Sequence, residues 1–166
     1  ALTGAQGKLI KAIHATGKPV ILVLVTGKPF SIAWERKHIP AILIQWYAGE
    51  QEGSSIANIL FGKTNPSGHL TVSFPQSSGH LPAYYNHLPT DRGFYHKPGS
   101  YEQPGRDYVF SSPGPLWAFG HGLTYTTFNY TDMQIQQSID SIKVFVTVKN
   151  TGRWAGKAVP QLYVRD

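Results

Sequence analysis

Cysteine is absent from this 166-residue sequence, and methionine occurs only once. Without cysteine the chain can form no disulfide, no thiol nucleophile and no Cys-based zinc site, and its composition does not indicate a redox compartment. Long hydrophobic runs are also absent, because the longest is Val20 to Val25 and a membrane-spanning helix needs about 20 apolar residues. No signal-peptide pattern is visible at Ala1. We therefore expect no membrane insertion. The first residues are compatible with a cytoplasmic protein, with a mature protein whose signal peptide has been removed, or with an internal piece of a longer protein.

Charged residues are scarce at 14%, yet the net charge is +6 and the isoelectric point about 9.6. A basic chain makes nucleic acid the first alternative partner to consider. However, Lys and Arg are scattered singly, and the densest pair is Arg36-Lys37. We therefore expect no nucleic-acid partner and interpret the basic residues as a solvated surface.

The first third of the chain alternates between helix and strand patterns. Residues 3–14 predict a helix with Thr3 as N-cap and Gly17 as its stop. Its apolar face would consist of Ala5, Leu9, Ala12 and Ile13. The continuous run Val20 to Val25 is typical of a strand covered on both faces in a parallel sheet.

The same alternation continues to Gly62. The patterns predict a short helix over 31–38, a buried strand over 41–47, a loop over 49–53 and a helix capped by Ser54 or Ser55. This order is typical of an α/β sheet, in which ligands bind beyond the carboxyl ends of the strands. The loop over 49–53 is therefore the segment best placed to face a ligand.

The rest of the chain changes character twice. Residues 65–68 predict a turn and 70–74 a one-sided strand, followed over 76–115 by a long loop rich in Pro, Gly, Tyr and His. Residues 124–166 have an all-β texture, with strands predicted over 142–148 and 158–164 and a turn over 150–152. This pattern resembles the opening of a fibronectin type III-like β-sandwich, but only about three of the roughly seven strands are present.

Four segments carry a family resemblance. They are ATGKPVILVLVTGKPFSI, WYAGEQEGSSIANILFGKTNPSGHLTVSFPQSSGHLPAYYNH, PLWAFGHGLTYTTF and VKNTGRWAGKAVPQLYVRD. In this order they resemble successive motifs of glycoside hydrolase family 3, especially its periplasmic bacterial β-glucosidases. The resemblance implies an α/β fold, part of a three-layer α/β sandwich with a mostly parallel sheet, followed by the first strands of a fibronectin type III-like β-sandwich. The expected boundaries are 1–75 for the second half of the sandwich domain, 76–123 for its long loop region and 124–166 for the incomplete third domain.

The resemblance also implies a function. The family hydrolyses terminal β-glycosides with retention, using an Asp on an N-terminal barrel and a Glu on the sandwich domain, and two carboxyl groups about 5 to 5.5 Å apart suit that chemistry. Neither residue matches a position here, so we assign no catalytic residue. The expected partners are a β-linked oligosaccharide or aryl glycoside and the barrel of the same enzyme, in the periplasm or secreted. Three alternatives stay open. The specificity could be that of a β-xylosidase, the protein could form a homo-oligomer, and the chain could be a non-catalytic carbohydrate-binding or assembly module.

Two groups of residues are candidates for contacting substrate. Glu50 and Glu52 lie in the loop after a buried strand and close to Trp46, although the loop departs from the family pattern of one acidic residue before two glycines. Plain surface exposure, or for Trp46 a place in the core, is the structural alternative. The second group resembles the family's YYxHxxTGR stretch, with a further arginine downstream, and its alternative is a loop anchored to the core. It consists of Tyr84, Tyr85, Asn86, His87, Arg92 and Arg106.

The sequence contains no motif that indicates a metal site, a cofactor site or another catalytic class. His80, His87 and His96 are irregularly spaced, no HExxH pair joins them, and no GxSxG motif is present. We expect no metal site and no cofactor.

Overall fold

The computed structural model describes residues 1–86, 102 and 114–164, and the chain divides into two compact units. The first unit comprises Ala1–Glu50 and Leu70–His121, and the second comprises Gln51–His69 and Gly122–Asp166. The helices are α1 (Gln6–His14), α2 (Ala33–His38), α3 (Glu52–Leu60) and a 3-10 turn (Ser78–His80), and the strands are β1 (Ile21–Val25), β2 (Ala41–Gln45), β3 (Phe128–Gln137) and β4 (Ile142–Asn150). In the part of the chain described, no helix combines the length and apolar character that crossing a membrane requires.

The first unit contains the predicted parallel pair. Strands β1 and β2 are parallel, with the register running from Ile21 opposite Ala41 to Val25 opposite Gln45. This confirms the α/β pattern of the first third of the sequence. Alternate residues of both strands, such as Leu24 and Ile44, face a core that is completed by Ile32, Leu70, Phe74 and Leu116.

The second face of the parallel pair is less covered than its sequence predicts. Ile21 and Val25 are 54% and 52% exposed, so the prediction that β1 is covered on both faces is wrong for this chain. The reason is that only two strands pair in the described part of the first unit, and its core lies on the side of Leu22 and Leu24.

The first helix forms where it is predicted, but it does not bury its apolar face. Helix α1 has no buried residue, and Leu9 is 60% exposed. It contacts α2 through polar residues instead, since the His14 ring meets Trp34 edge-to-face at 5.5 Å and the Lys11 ammonium lies 5.1 Å from the centre of the same indole.

The helix ends agree with the sequence better than the helix starts do. Gly17 and Gly62 have φ of +72° and +71° just after α1 and α3, as the predicted stops require. The N-caps are Ala5 and Gln51, neither of which makes a side-chain capping bond, so the predicted caps are wrong. The predicted N-caps were Thr3 for α1 and Ser54 or Ser55 for α3. Helix α3 begins early, at Glu52, whose carboxylate is favourable near the positive end of a helix dipole.

Residues 70–74 form a single bridge rather than the predicted strand. Phe74 pairs antiparallel with Trp117, and Leu70 exchanges backbone hydrogen bonds with Gly120 and His121. The ladder is interrupted between these pairs because the buried Ser73 hydroxyl, rather than a carbonyl, accepts a hydrogen bond from the Phe119 N–H at 3.0 Å.

The second unit contains the antiparallel β3–β4 hairpin, with Phe128 opposite Asn150 and Gln137 opposite Ile142. The chain bends after Asn150, where a turn is predicted, and the Asn150 side chain accepts a hydrogen bond from the Gly152 N–H. Residues 158–164 form no strand, so that prediction is wrong. No partner strand beyond β3 and β4 is present among the described residues of this unit to stabilise one.

The predicted turn at 65–68 is also wrong, because these residues form no turn. The Asn65 side chain bonds to distant backbone instead of closing a turn. It accepts a hydrogen bond from the Tyr125 N–H at 2.7 Å and donates one to the Ala155 carbonyl at 2.9 Å. These long-range bonds join the start and end of the second unit.

Candidate functional site

The carboxyl ends of β1 and β2 lie at the same edge of the first unit, because the two strands are parallel. The loop after β1 is closed by Thr26, whose buried hydroxyl donates to the Lys28 carbonyl at 2.7 Å and accepts from the Lys28 N–H at 3.1 Å. The chain after β2 continues through Trp46 to Glu50. Ligands of α/β sheets bind at such an edge.

An exposed tyrosine joins these two loops. Tyr47 is 77% exposed, and its ring lies over Gly27 so closely that a Cβ atom there would come within 2.7 Å of the ring. Gly27 therefore leaves the space that the tyrosine occupies. From the sequence, Tyr47 is predicted only as the end of a strand and is not among the candidate site residues. The one available signal was a glycine, Gly27, two residues after the end of the first predicted strand.

The Trp46 side chain packs against the core of the first unit. It is half-buried, and its ring lies 6.3 Å from that of Phe74, which in turn meets Trp117 edge-to-face at 5.7 Å. This aromatic cluster anchors the start of the loop. It supports the core interpretation of Trp46, whereas its predicted contact with substrate stays a prediction.

The two candidate glutamates fall in different places. Glu50 is exposed and follows Gly49, whose φ of +75° turns the chain away from β2. Glu52 belongs to the second unit and occupies the first turn of α3. The predicted loop over 49–53 is thus shorter than expected, since its last two residues are helical.

The second candidate group is described only in part. Tyr84, Tyr85 and Asn86 are exposed, and the Tyr85 ring stacks on Phe119 with centroids 4.4 Å apart and planes at 23°. This stacking fixes one face of Tyr85 and supports the anchored-loop alternative for that residue. The other predicted residues of this group, His87, Arg92 and Arg106, lie outside the described residues.

The His14 and His38 rings meet edge-to-face with centroids 5.7 Å apart, but they are not part of a metal-binding group. In the described part of the chain, no three His, Cys, Asp or Glu side chains lie close enough to hold a metal ion together. Buried His80 has a structural contact, since its Nδ1 accepts the Gln76 N–H at 3.3 Å. Of the other two histidines considered for a metal, His87 and His96 both lie outside the described residues.

Comparison with known proteins identifies the family. The sequence profile of the glycosyl hydrolase family 3 C-terminal domain matches residues 1–125. The chain belongs to glycosyl hydrolase family 3. This confirms the resemblance drawn from the four motifs, and it covers the parallel pair, α3 and the long loop.

Relatives within the family cover nearly the whole chain. It is 42% identical to a periplasmic β-glucosidase of Salmonella typhimurium, over 98% of this chain and 21% of that protein. It is also 42% identical to a β-xylosidase of Formosa agariphila, over 99% of this chain and 22% of that protein. Among solved structures, a β-glucosidase from Listeria innocua superimposes with a TM-score of 0.81 at 34% identity, over 92% of this chain and 21% of that one. The chain thus spans about a fifth of the length of these family 3 proteins.

Proposed function

We propose that this chain is the C-terminal part of a retaining, exo-acting β-glycosidase that hydrolyses terminal non-reducing β-D-glycosyl residues. The match of the family 3 profile to residues 1–125 carries the proposal. It is supported by the 42% identity to a β-glucosidase, which extends over 98% of the chain. The same relative favours a periplasmic or secreted location.

In this proposal the chain shapes the sugar pocket and does not perform the chemistry. Tyr47 and Tyr84 present exposed aromatic rings in the first unit, and aromatic faces pack well on the C–H face of a pyranose. The neighbouring Glu50 carboxylate and Asn86 amide would accept or donate hydrogen bonds to sugar hydroxyls. Glu52 remains a proposed substrate contact because of its place in the loop after β2. His87 and Arg92 remain proposed contacts because of the motif, and Arg106 because it follows that motif in the sequence.

The reacting carboxylates belong, in this proposal, to the barrel and the upstream loop of the same enzyme. A retaining mechanism needs one carboxylate to attack the anomeric carbon and a second group to give and recover a proton. The chain's own share is to position the sugar ring and exclude water, which contributes through orientation rather than through bond breaking.

We also propose the domain boundaries given by the motifs. Residues 1–75 would be the second half of a three-layer α/β sandwich, 76–123 its long loop region and 124–166 the first strands of a fibronectin type III-like domain. The parallel pair within residues 1–75 and the antiparallel hairpin within 124–166 support this division, whereas the segment 51–69 belongs to the second compact unit and not to the first.

The decisive experiment compares the full-length polypeptide with the 166-residue chain on chromogenic aryl β-glucoside and aryl β-xyloside. We expect hydrolysis with retention by the full-length protein and no turnover by the chain alone. The chain is equally identical to a β-glucosidase and to a β-xylosidase, so the comparisons do not separate these two specificities. The ratio of kcat/KM on the two substrates distinguishes them. Turnover by the 166-residue chain, or none by the full-length protein on either substrate, would contradict the proposal.

A non-catalytic carbohydrate-binding or assembly module is the second candidate. The exposed aromatic rings of Tyr47 and Tyr84 favour it as a binding surface. Calorimetric titration of the chain with glucose, xylose and cellobiose separates the two candidates. Micromolar binding by the 166-residue chain together with an inactive full-length protein would favour the module.

A further inference from the structure

The β3–β4 hairpin of the second unit is interrupted by a bulge. Thr131 pairs with Thr147 and the next pair is Gln134 with Phe145, so Asp132 and Met133 together oppose a single residue of β4. Asp132 adopts a left-handed backbone conformation, with φ of +54°. Only a few per cent of residues other than glycine do so, and bulges of this kind often re-aim side chains next to binding sites.

The bulge changes which side chains share a face. In an unbroken strand Thr131 and Gln134 would point to opposite faces, because side chains alternate. The extra residue brings Gln134 and Gln136 to the face of Phe145, their neighbour on β4. The opposite face is apolar, with the cross-strand pairs Tyr130–Val148 and Ile135–Val144. The hairpin therefore has one face suited to packing and one polar face with a single aromatic ring.

An open cavity of about 370 Å³ lies at the bulge. This volume lies near the lower end of the range for small-molecule sites, and because the cavity is open to solvent it would cover only one face of a ligand. The Phe145 ring is 48% exposed, and the Asp132 carboxylate is oriented by the Thr131 hydroxyl, which donates to it at 2.8 Å. The lining residues are Asp132, Gln134, Gln136, Phe145, Val146 and Thr147.

We propose that this cavity binds one pyranose unit of a neutral β-glycan chain, as a site separate from the hydrolytic pocket. The two glutamine amides offer paired donors and acceptors for adjacent sugar hydroxyls, and the Asp132 carboxylate accepts further hydroxyl protons. The exposed Phe145 face supplies an apolar platform for the ring. The proposal goes beyond hydrolysis, since it gives the second unit a role in holding polysaccharide.

Other ligand classes fit the cavity poorly. None of the six lining residues is basic, and an Asp132 carboxylate among them repels phosphates, nucleic acids and acidic sugars. One carboxylate is also too few for a hard cation, because calcium takes 6 to 8 oxygen ligands. Lys143 and Lys149 share the polar face, but neither lines the cavity.

The test is affinity electrophoresis of the full-length polypeptide in native gels with and without soluble mixed-linkage β-glucan or soluble xylan. We expect the polysaccharide to retard the protein, and the variants Phe145→Ala and Gln134→Ala/Gln136→Ala to weaken retardation at least tenfold. Gln137→Ala is the matched control, since Gln137 lies on the same strand but on the opposite face, and it should migrate as the unaltered protein does. Free glucose at millimolar concentration should compete only weakly, since the site is proposed for a chain of sugars.

Hydrolysis of a small aryl β-glycoside is measured on the same samples. We expect unchanged kcat/KM in all the variants, which separates this site from the hydrolytic pocket and also shows that the variants fold. Absence of retardation on both polysaccharides, or equal retardation of the unaltered protein and both cavity variants, would overturn the proposal. A further outcome is that the protein binds polysaccharide through this cavity and yet hydrolyses no aryl glycoside. Loss of retardation in the cavity variants would then support this site, and the missing activity would contradict the proposed hydrolysis.

Discussion

The contact between Gly27 and Tyr47 shows how single residues shape the candidate site. The two residues follow neighbouring parallel strands, and the absence of a side chain at Gly27 allows the tyrosine ring to lie directly on the backbone. The backbone at Gly27 has no positive φ, so the requirement for glycine here is space and not conformation. A substitution at this position therefore tests the placement of Tyr47 specifically.

We expect Gly27→Ala in the full-length polypeptide to lower kcat/KM on an aryl β-glycoside by about tenfold, or about 1.4 kcal/mol of transition-state stabilisation. The thermal midpoint should change little, because the ring that must move is 77% exposed. The control is Gly7→Ala in α1, where a Cβ would meet nothing within 4 Å.

A double-mutant cycle with Tyr47→Ala sharpens this prediction. If Gly27 acts by positioning Tyr47, the double variant should lose no more activity than Tyr47→Ala alone, since neighbouring residues that act together are not additive. Full additivity would show that Gly27 acts on another part of the loop.

At the scale of elements, the connection between residues 70–74 and 116–121 holds the core of the first unit together. Phe74 is fully buried and exchanges backbone bonds with Trp117 and Leu116, while Ser73 bonds to Phe119 through its side chain. Because Phe119 also stacks on Tyr85, this connection positions the described part of the second candidate group.

Ser73→Ala should therefore destabilise the full-length protein. The change removes the hydroxyl that accepts a hydrogen bond from the partly buried Phe119 N–H, and a typical hydrogen bond contributes about 0.5 to 1.5 kcal/mol of net stability. Differential scanning calorimetry should show the midpoint of the affected transition lowered by a few degrees. Ser78→Ala, at an exposed position of the 3-10 turn, is the matched control. Equal midpoints for the two variants would contradict the importance of this bond.

At the scale of the whole molecule, several large apolar side chains are exposed to solvent, and one buried polar side chain has no hydrogen-bond partner in the described part of the chain. In the first unit Leu9, Ile21 and Val25 are each more than half exposed. Gln45 is buried at the end of β2, and its amide has no hydrogen-bond partner among the described residues. Unpaired strand edges and exposed apolar faces favour association with other chains.

We therefore expect the isolated 166-residue chain to aggregate, or to be ordered only beside the rest of its polypeptide or another copy. Light scattering coupled to size exclusion, followed by calorimetry of any monomer, measures this. The full-length polypeptide is the control and should melt cooperatively. A monomer of the isolated chain with one sharp melting transition would be contrary evidence.

The sequence by itself determined the features that depend on neighbouring residues. The unbroken run Val20 to Val25 and the positive-φ positions Gly17 and Gly62 predicted β1 and the ends of α1 and α3, since hydrophobic periodicity and backbone freedom are local properties. The ordered motifs likewise determined the family, because they are read along the chain. The parallel pairing of β1 with β2 was also predictable, from the alternation of helix and strand.

Only the tertiary structure decided the contacts between distant residues. Tyr47 over Gly27, the Phe74–Trp117 bridge and the long-range bonds of Asn65 each join segments whose local patterns predicted something else. A strand predicted at 70–74 became one bridge because Ser73 bonds through its side chain to Phe119, a residue far along the chain. Local patterns state what a segment prefers, whereas the partners available in space determine which preference is satisfied.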